Sequence, residues 1–196
     1  MAIRTFSPVY HTVEHKNEES SRMKNPIFGD VDPWLGEGYY FWDGFIELAE
    51  WWAKKRKYPQ ACIYEASIEV EESDMLDLVG NTSDMRAFRD FTKILKLKKP
   101  NEKITVLKVL TLMVRELSHK YKLIRARTEH RLPVDDNKVP FKENRKENMV
   151  SMPAIQMCAT TLDLVKDFKF LTLHTGETGT LEEGERNLAQ GFNPEE

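Results

Sequence analysis

The sequence predicts an α+β fold, and three observations carry that reading. Runs that suit strands, either alternating or continuously apolar, are scattered from residue 7 to residue 173. Stretches with helical apolar spacing fall between them. The two kinds alternate irregularly, which argues against regular βαβ winding. With 196 residues the chain suits one domain and is long enough to bury a core without disulfide staples.

Residues 7–13 (SerProValTyrHisThrVal) read as a short apolar strand that carries His11. Residues 14–34 are polar and then punctuated by Pro and Gly, so they read as loop. Residues 36–43 (GlyGluGlyTyrTyrPheTrpAsp) form a Gly-hinged aromatic strand, followed by a helix over 44–57 with Phe45, Leu48, Ala49 and Trp52 on its apolar face. Residues 60–70 alternate and predict a strand. SerAspMetLeuAspLeu (73–78) carries Ser/Asp capping signals for a helical or turn segment. Two helices follow: 83–97, with Met85, Phe88, Phe91, Ile94 and Leu95 inward, and 102–120, through Ile104, Leu107, Leu110 and Val114. Residues 122–127 read as a strand, 128–150 as a long charged loop, 154–160 as a strand and 162–173 as a turn and a last strand. Residues 174–196 have little apolar content and predict a disordered acidic tail.

Composition narrows the function classes. No run approaches the ~20 apolar residues of a membrane span, and the N-terminal residues lack the apolar core of a signal peptide. The expected location is cytoplasmic. Cys62 and Cys158 sit in apolar runs and read as packed, reduced thiols. Cysteine and histidine spacing gives no metal site. There is no P-loop, no dinucleotide GxGxxG, no GxSxG elbow and no HExxH.

The net charge of −3 conceals an asymmetry: residues 93–149 carry +9 and the remainder −12. Such an imbalance marks either solvated helices or a surface for a polyanion. On the second reading Arg125 and Arg127, spaced two apart on a strand, share a face. Lys138, Lys142, Arg145 and Lys146 then line the loop before residue 154.

Candidate chemistry gathers at a few positions. The aromatic strand 36–43 opens with two glycines, which allow close backbone approach. Its aromatics offer flat faces to a planar ligand. His11 lies in an apolar strand, and Gln156 interrupts another (AlaIleGlnMetCys), where its amide needs partners or a cleft.

In order, these residues resemble the ADP-ribosyltransferase superfamily, in its diphtheria-toxin and poly(ADP-ribose)-polymerase branch. TyrHisThrVal resembles the first signature strand, with His11 as the histidine. GlyGluGlyTyrTyrPheTrpAsp resembles the Gly-x-Gly-x-Tyr-Phe segment, with Tyr40 as the tyrosine. Trp51, eleven positions on, matches a second aromatic, and ProAlaIleGlnMetCysAlaThr resembles the third strand, with Gln156 where many relatives have Glu. The resemblance covers most of residues 8–173 and implies a domain spanning 1–173, built of split antiparallel sheets with flanking helices around an NAD cleft.

The resemblance further implies that His11 and Gln156 bond the nicotinamide-side ribose and that Tyr40 and Trp51 sandwich the nicotinamide. NAD would be the co-substrate of a mono-ADP-ribosyltransferase whose acceptor is a nucleic acid, RNA being favoured by the +9 segment, or a protein. Such proteins resemble intracellular toxins of toxin–antitoxin or phage-defence systems, so an antitoxin partner is a further expectation. Two departures stand out. Thr12 occupies the position of a glycine whose backbone grips the carboxamide, and Gln156, an amide, does not serve as a general base. Glu143 and Glu147 are then candidates to activate the nucleophile. Two other readings remain: a binding module of this fold without catalysis, and an unrelated α+β interaction protein whose aromatics are core. The last predicts that Tyr40→Ala unfolds the chain; the transferase reading predicts that it stays folded and loses activity.

Overall fold

The computed structural model describes residues 2–29, 33–128, 138–143 and 147–175. The class is α+β: among these residues three helices lie against an open, mostly antiparallel sheet. The strands are β1 (Ile3–Glu14), β2 (Phe28–Gly29), β3 (Gly38–Asp43), β4 (Gln60–Glu71), β5 (Met75–Asp77), β6 (Leu123–Arg127), β7 (Lys138–Pro140), β8 (Asn148–Val150), β9 (Ile155–Ala159) and β10 (Val165–Thr175). The helices are α1 (Ile46–Arg56), α2 (Thr82–Lys98) and α3 (Val106–Leu117). The main sheet runs β10-β4-β1-β3-β9-β6-β5 with β2 added to β3, and β7 and β8 form a separate hairpin.

Three local expectations change. Residues 73–78 make a short turn and then β5, because Met75 and Leu76 are buried in parallel pairing with Leu123 and Ile124. Burial of the apolar pair outweighs the capping signal, and the α2–α3 hairpin supplies the crossover that a parallel pair needs. The inner face of α3 is Val109, Leu110, Leu112 and Met113, while Leu107 and Val114 stay exposed, as does Ile94 on α2. The apolar face of α3 is wide and lies opposite Lys108, Thr111 and Arg115; its centre, at Leu110 and Met113, docks, while Leu107 and Val114 sit at its edge. Part of the expected loop 128–150 is the β7–β8 hairpin. Residues 129–137, 144–146 and 176–196 lie outside the described residues, and with them most of the expected tail.

The sheet is nearly two sheets. β1 pairs with β4 from Ile3↔Glu71 to Glu14↔Ala61, with one register shift between Phe6 and Val9. Against β3 it pairs only at Val9↔Asp43 and Tyr10↔Trp42. One half is therefore β10-β4-β1 and the other β3-β9-β6-β5, stitched by two residue pairs. Gly38 lets β3 close tightly on β9: a Cβ there would lie 2.6 Å from the Ala159 carbonyl oxygen and 2.7 Å from the Cys158 Sγ.

Before Val9 the two halves are bridged by charge. Arg4 Nη1 donates to Asp77 Oδ2 at 3.1 Å, and Arg125 reaches Asp77 Oδ1 at 3.2 Å and Asp43 Oδ2 at 2.7–2.8 Å. Phe6 lies between the two guanidinium groups, 5.2 Å from each. Burial alone would raise the Asp77 carboxyl, but amide bonds from Gly80 and Val79 and the Arg125 charge hold it below its ordinary value. After Tyr10, β1 and β3 separate. No helix among the described residues is long and apolar enough to cross a membrane.

Candidate functional site

The space opened by the separation of β1 and β3 is a cavity of about 640 Å³. That is the size of an ordinary small-molecule site. His11 and Thr12 from β1, Tyr40 and Trp42 from β3 and Gln156 from β9 all reach its wall. His11, Tyr40 and Gln156, far apart in sequence, are thus brought to one cavity.

His11 stands at the fork and replaces the missing strand pairing. Its Nδ1–H donates to the Tyr40 carbonyl at 2.8 Å, and its Nε2 accepts from the Ile27 N–H at 3.1 Å. A carbonyl only accepts and an amide N–H only donates, so the ring is the neutral Nδ1–H tautomer. Burial pulls its pKa down to about 4, against the Tyr40 carbonyl, which favours the charged form. The Nε2 expected to bond a ribose already holds a backbone amide here, so a ligand must displace or share that contact.

Tyr40 is held by its hydroxyl, which accepts from the Leu35 N–H at 3.1 Å and donates to the Gly36 carbonyl at 2.7 Å. Burial raises its pKa and keeps it a phenol. Gly36, at φ +107°, makes the turn that brings this carbonyl round. Burial likewise pushes the neighbouring Cys158 thiol up to about 12, which leaves it inert, and both cysteines are free and buried. Tyr40 also packs against the core cluster under α2 and α3. Tyr40→Ala therefore opens a hole in that packing whatever the site does, and folding of this variant does not discriminate the readings.

Gln156 lies mid-sheet opposite Trp42 and Ala126 and is only 3% exposed. Its Oε1 has no hydrogen-bond partner among the described residues. An unpaired buried amide oxygen costs ~1–3 kcal/mol, so it calls for a reason. Here the reason is its place on the cavity wall.

The expected partner of Tyr40 is not where the sequence put it. Trp52 lines the cavity; Trp51 packs edge-on to Trp42, with ring centroids 5.8 Å apart. Neighbouring helical residues point about 100° apart, and the docking of α1 through Leu48 and Ala49 selects Trp52. Thr12 is on the wall, and its Oγ1 donates to the Ala49 carbonyl at 3.1 Å, tying β1 to α1.

The expected nucleic-acid residues divide. Arg125 is not an open phosphate contact: its side chain is 14% exposed and neutralised by Asp43 and Asp77, because β6 is an inner strand. Arg127, Lys138 and Lys142 are exposed and off the cavity wall; Arg145 and Lys146 lie outside the described residues. Glu143 and Glu147 are also exposed and off the wall. Among the described residues the wall's carboxylate is Glu14, which sequence reasoning missed along with Trp42, Lys16, Lys55 and Arg56. The run LysLysArgLys at 54–57 was the available signal, diluted when charge was summed over long segments. Among the described residues no group of His, Cys, Asp and Glu is placed to hold a metal ion. Compared with known family models, curated proteins and solved structures, the chain matches none.

Proposed function

We propose that this chain is an NAD-dependent mono-ADP-ribosyltransferase and that the cavity between β1 and β3 is its NAD site. One arrangement supports the reading: His11, Tyr40 and Gln156 meet where the sheet splits, and Gln156 presents a buried acceptor with no partner. Orphaned acceptors on a cavity wall fit a ligand rich in hydroxyl groups, as a ribose is. The polar wall is flanked by the aromatic faces of Tyr40, Trp42 and Trp52, which suit a planar ring.

NAD supplies a glycosidic bond with a neutral leaving group, nicotinamide, which departs with the bonding pair. An acceptor oxygen or nitrogen then bonds the ribose carbon and gives up its proton. The chain's own residues position and exclude water. Gln156 orients a ribose hydroxyl through Oε1, and neutral His11 offers Nε2 as an acceptor once the Ile27 amide yields it. Neither takes the acceptor's proton, so that proton leaves by water at the cavity mouth. An RNA acceptor, approached over Arg127, Lys138 and Lys142, is the partner we favour, since a basic surface supplies most sequence-independent affinity for phosphates.

The test is nicotinamide release from NAD by the purified chain, followed by transfer of label from NAD to lysate fractions treated with RNase, DNase or protease. Release that is lost in His11→Ala and in Gln156→Leu supports the reading. Intact NAD after long incubation with a folded sample rejects catalysis. Gln156 in place of a titrating carboxylate favours a second reading, a module that binds NAD without turnover; binding without release selects it.

A further inference from the structure

The cavity has a second end with a different character. Lys16, after β1, and Lys55 and Arg56, in the last turn of α1, stand on its wall beside Trp52 and Tyr58. Glu14, 3.4 Å from Lys16, is the acid on the same wall among the described residues, and these four side chains carry a formal charge of +2. Cations are common at helix C-termini, where they face the negative end of the helix dipole. These two are also fixed by the indoles. The Lys55 ammonium lies 4.8 Å from the Trp51 ring and 5.8 Å from that of Trp52, and the Arg56 guanidinium lies 5.8 Å from Trp52. Trp52 itself is on the wall, so the cations are anchored at the cavity.

We infer that Lys16, Lys55 and Arg56 form a phosphate subsite that receives the diphosphate of a dinucleotide, and so set the direction in which the ligand lies, with its ribose–nicotinamide end at Gln156. The inference rests on the NAD reading for the ligand's identity. The charge argument stands beside it: a diphosphate diester carries two negative charges at neutral pH, opposite in sign to the formal +2 of these four described side chains. Arginine and lysine recognise phosphate by charge-assisted bonds, and the three exposed cations converge on one wall where a diphosphate reaches more than one of them.

The experiment is calorimetric titration of ADP-ribose, nicotinamide riboside and a short oligoribonucleotide into wild type and a Lys55→Gln/Arg56→Gln double variant, with melting curves to show that both are folded. ADP-ribose carries the diphosphate without nicotinamide, so its binding is readable even if NAD is never cleaved. That separates failure of the enzyme reading from failure of this one. The expected result is a loss of roughly 30-fold or more for ADP-ribose in the double variant, with nicotinamide riboside unchanged or improved. Glu14→Gln, which removes the wall's negative charge, raises ADP-ribose affinity by about threefold, and this variant serves if the double variant does not fold. Equal losses for ADP-ribose and nicotinamide riboside, no loss for ADP-ribose, or a wild type that does not bind ADP-ribose overturns the inference. So does a loss confined to the oligoribonucleotide, which assigns the cations to the acceptor strand.

Discussion

The seam between the two halves of the sheet is closed at one end and open at the other, and the two ends are built on opposite principles. Before Val9, Arg4, Asp77, Arg125 and Asp43 form a continuous chain of charge-assisted bonds. Asp77 is almost fully buried and its carboxylate is bonded by two amides and two guanidinium groups. After Tyr10, the polar groups at the fork itself, His11, Tyr40 and Gln156, are neutral, and Gln156 Oε1 has no partner among the described residues. Satisfied polar groups hold a structure together; unsatisfied ones mark where something else is meant to bind. One short interruption of strand pairing thus gives a brace on one side and a site on the other.

The largest expected effect tests the brace. Arg125→Met leaves the half-buried Asp43 without its cation and the buried Asp77 with Arg4 alone, which costs ~3–5 kcal/mol. Urea unfolding reads this directly. A loss below 1 kcal/mol would mean that the charges are decorative and that the closed end owes its strength to Phe6 and the apolar core.

The next effect belongs to the open end and is read by pH. The native His11 pKa near 4 lies below the ordinary 6.5, so as pH falls the unfolded chain takes up the proton first. This contribution is whole above pH 6.5 and is lost as pH falls toward 4, by about 3 kcal/mol. Wild type minus His11→Gln isolates it from the carboxylates. Parallel stability curves for the two proteins between pH 7 and pH 4.5 would show that the fork does not keep the imidazole neutral.

Gln156→Leu contrasts the ends most sharply, because it moves stability and binding in opposite directions. Replacing a buried amide whose oxygen has no partner by an apolar side chain of similar size is neutral or stabilising, by about 1 kcal/mol. The same change removes the acceptor and weakens NAD binding by roughly tenfold. A destabilised Gln156→Leu with unchanged ligand binding would turn the open end into another structural network.

How much of this was legible in the sequence depends on whether the information is local. The strands at 60–70 and 154–160 carry their pattern in themselves, and the Gly38 approach was foreshadowed by the two glycines. His11, Tyr40 and Gln156 were legible as residues out of keeping with their strands. The fork was not, since nothing within β1 states where β3 leaves it. The choice of Trp52 over Trp51 depends on how α1 docks, a tertiary event. Arg125 read as a free cation because its partners lie 82 and 48 positions away. β5 was misread for the same reason: its partners Leu123 and Ile124 lie beyond the helical hairpin in the sequence.

The smallest effect asks whether the open end is as ready as its geometry suggests. The Ile27 N–H occupies the His11 Nε2, the lone pair that the NAD reading assigns to a ribose hydroxyl. Ile27 is itself about half exposed, so this amide is anchored by one bond of ~0.5–1.5 kcal/mol rather than by burial. Hydrogen exchange followed by NMR at this amide separates two arrangements. If ligand and strap compete for Nε2, saturation with NAD leaves the Ile27 amide less protected, by roughly tenfold at most. The Tyr64 hydroxyl, which accepts from the Met23 N–H four residues earlier, bonds outside the His11 contact, so the Met23 amide keeps its protection. Unchanged protection at Ile27 would mean that the imidazole holds the strap and not the ligand. His11 would then belong with the brace, and Gln156 alone would remain as the polar mark of the site.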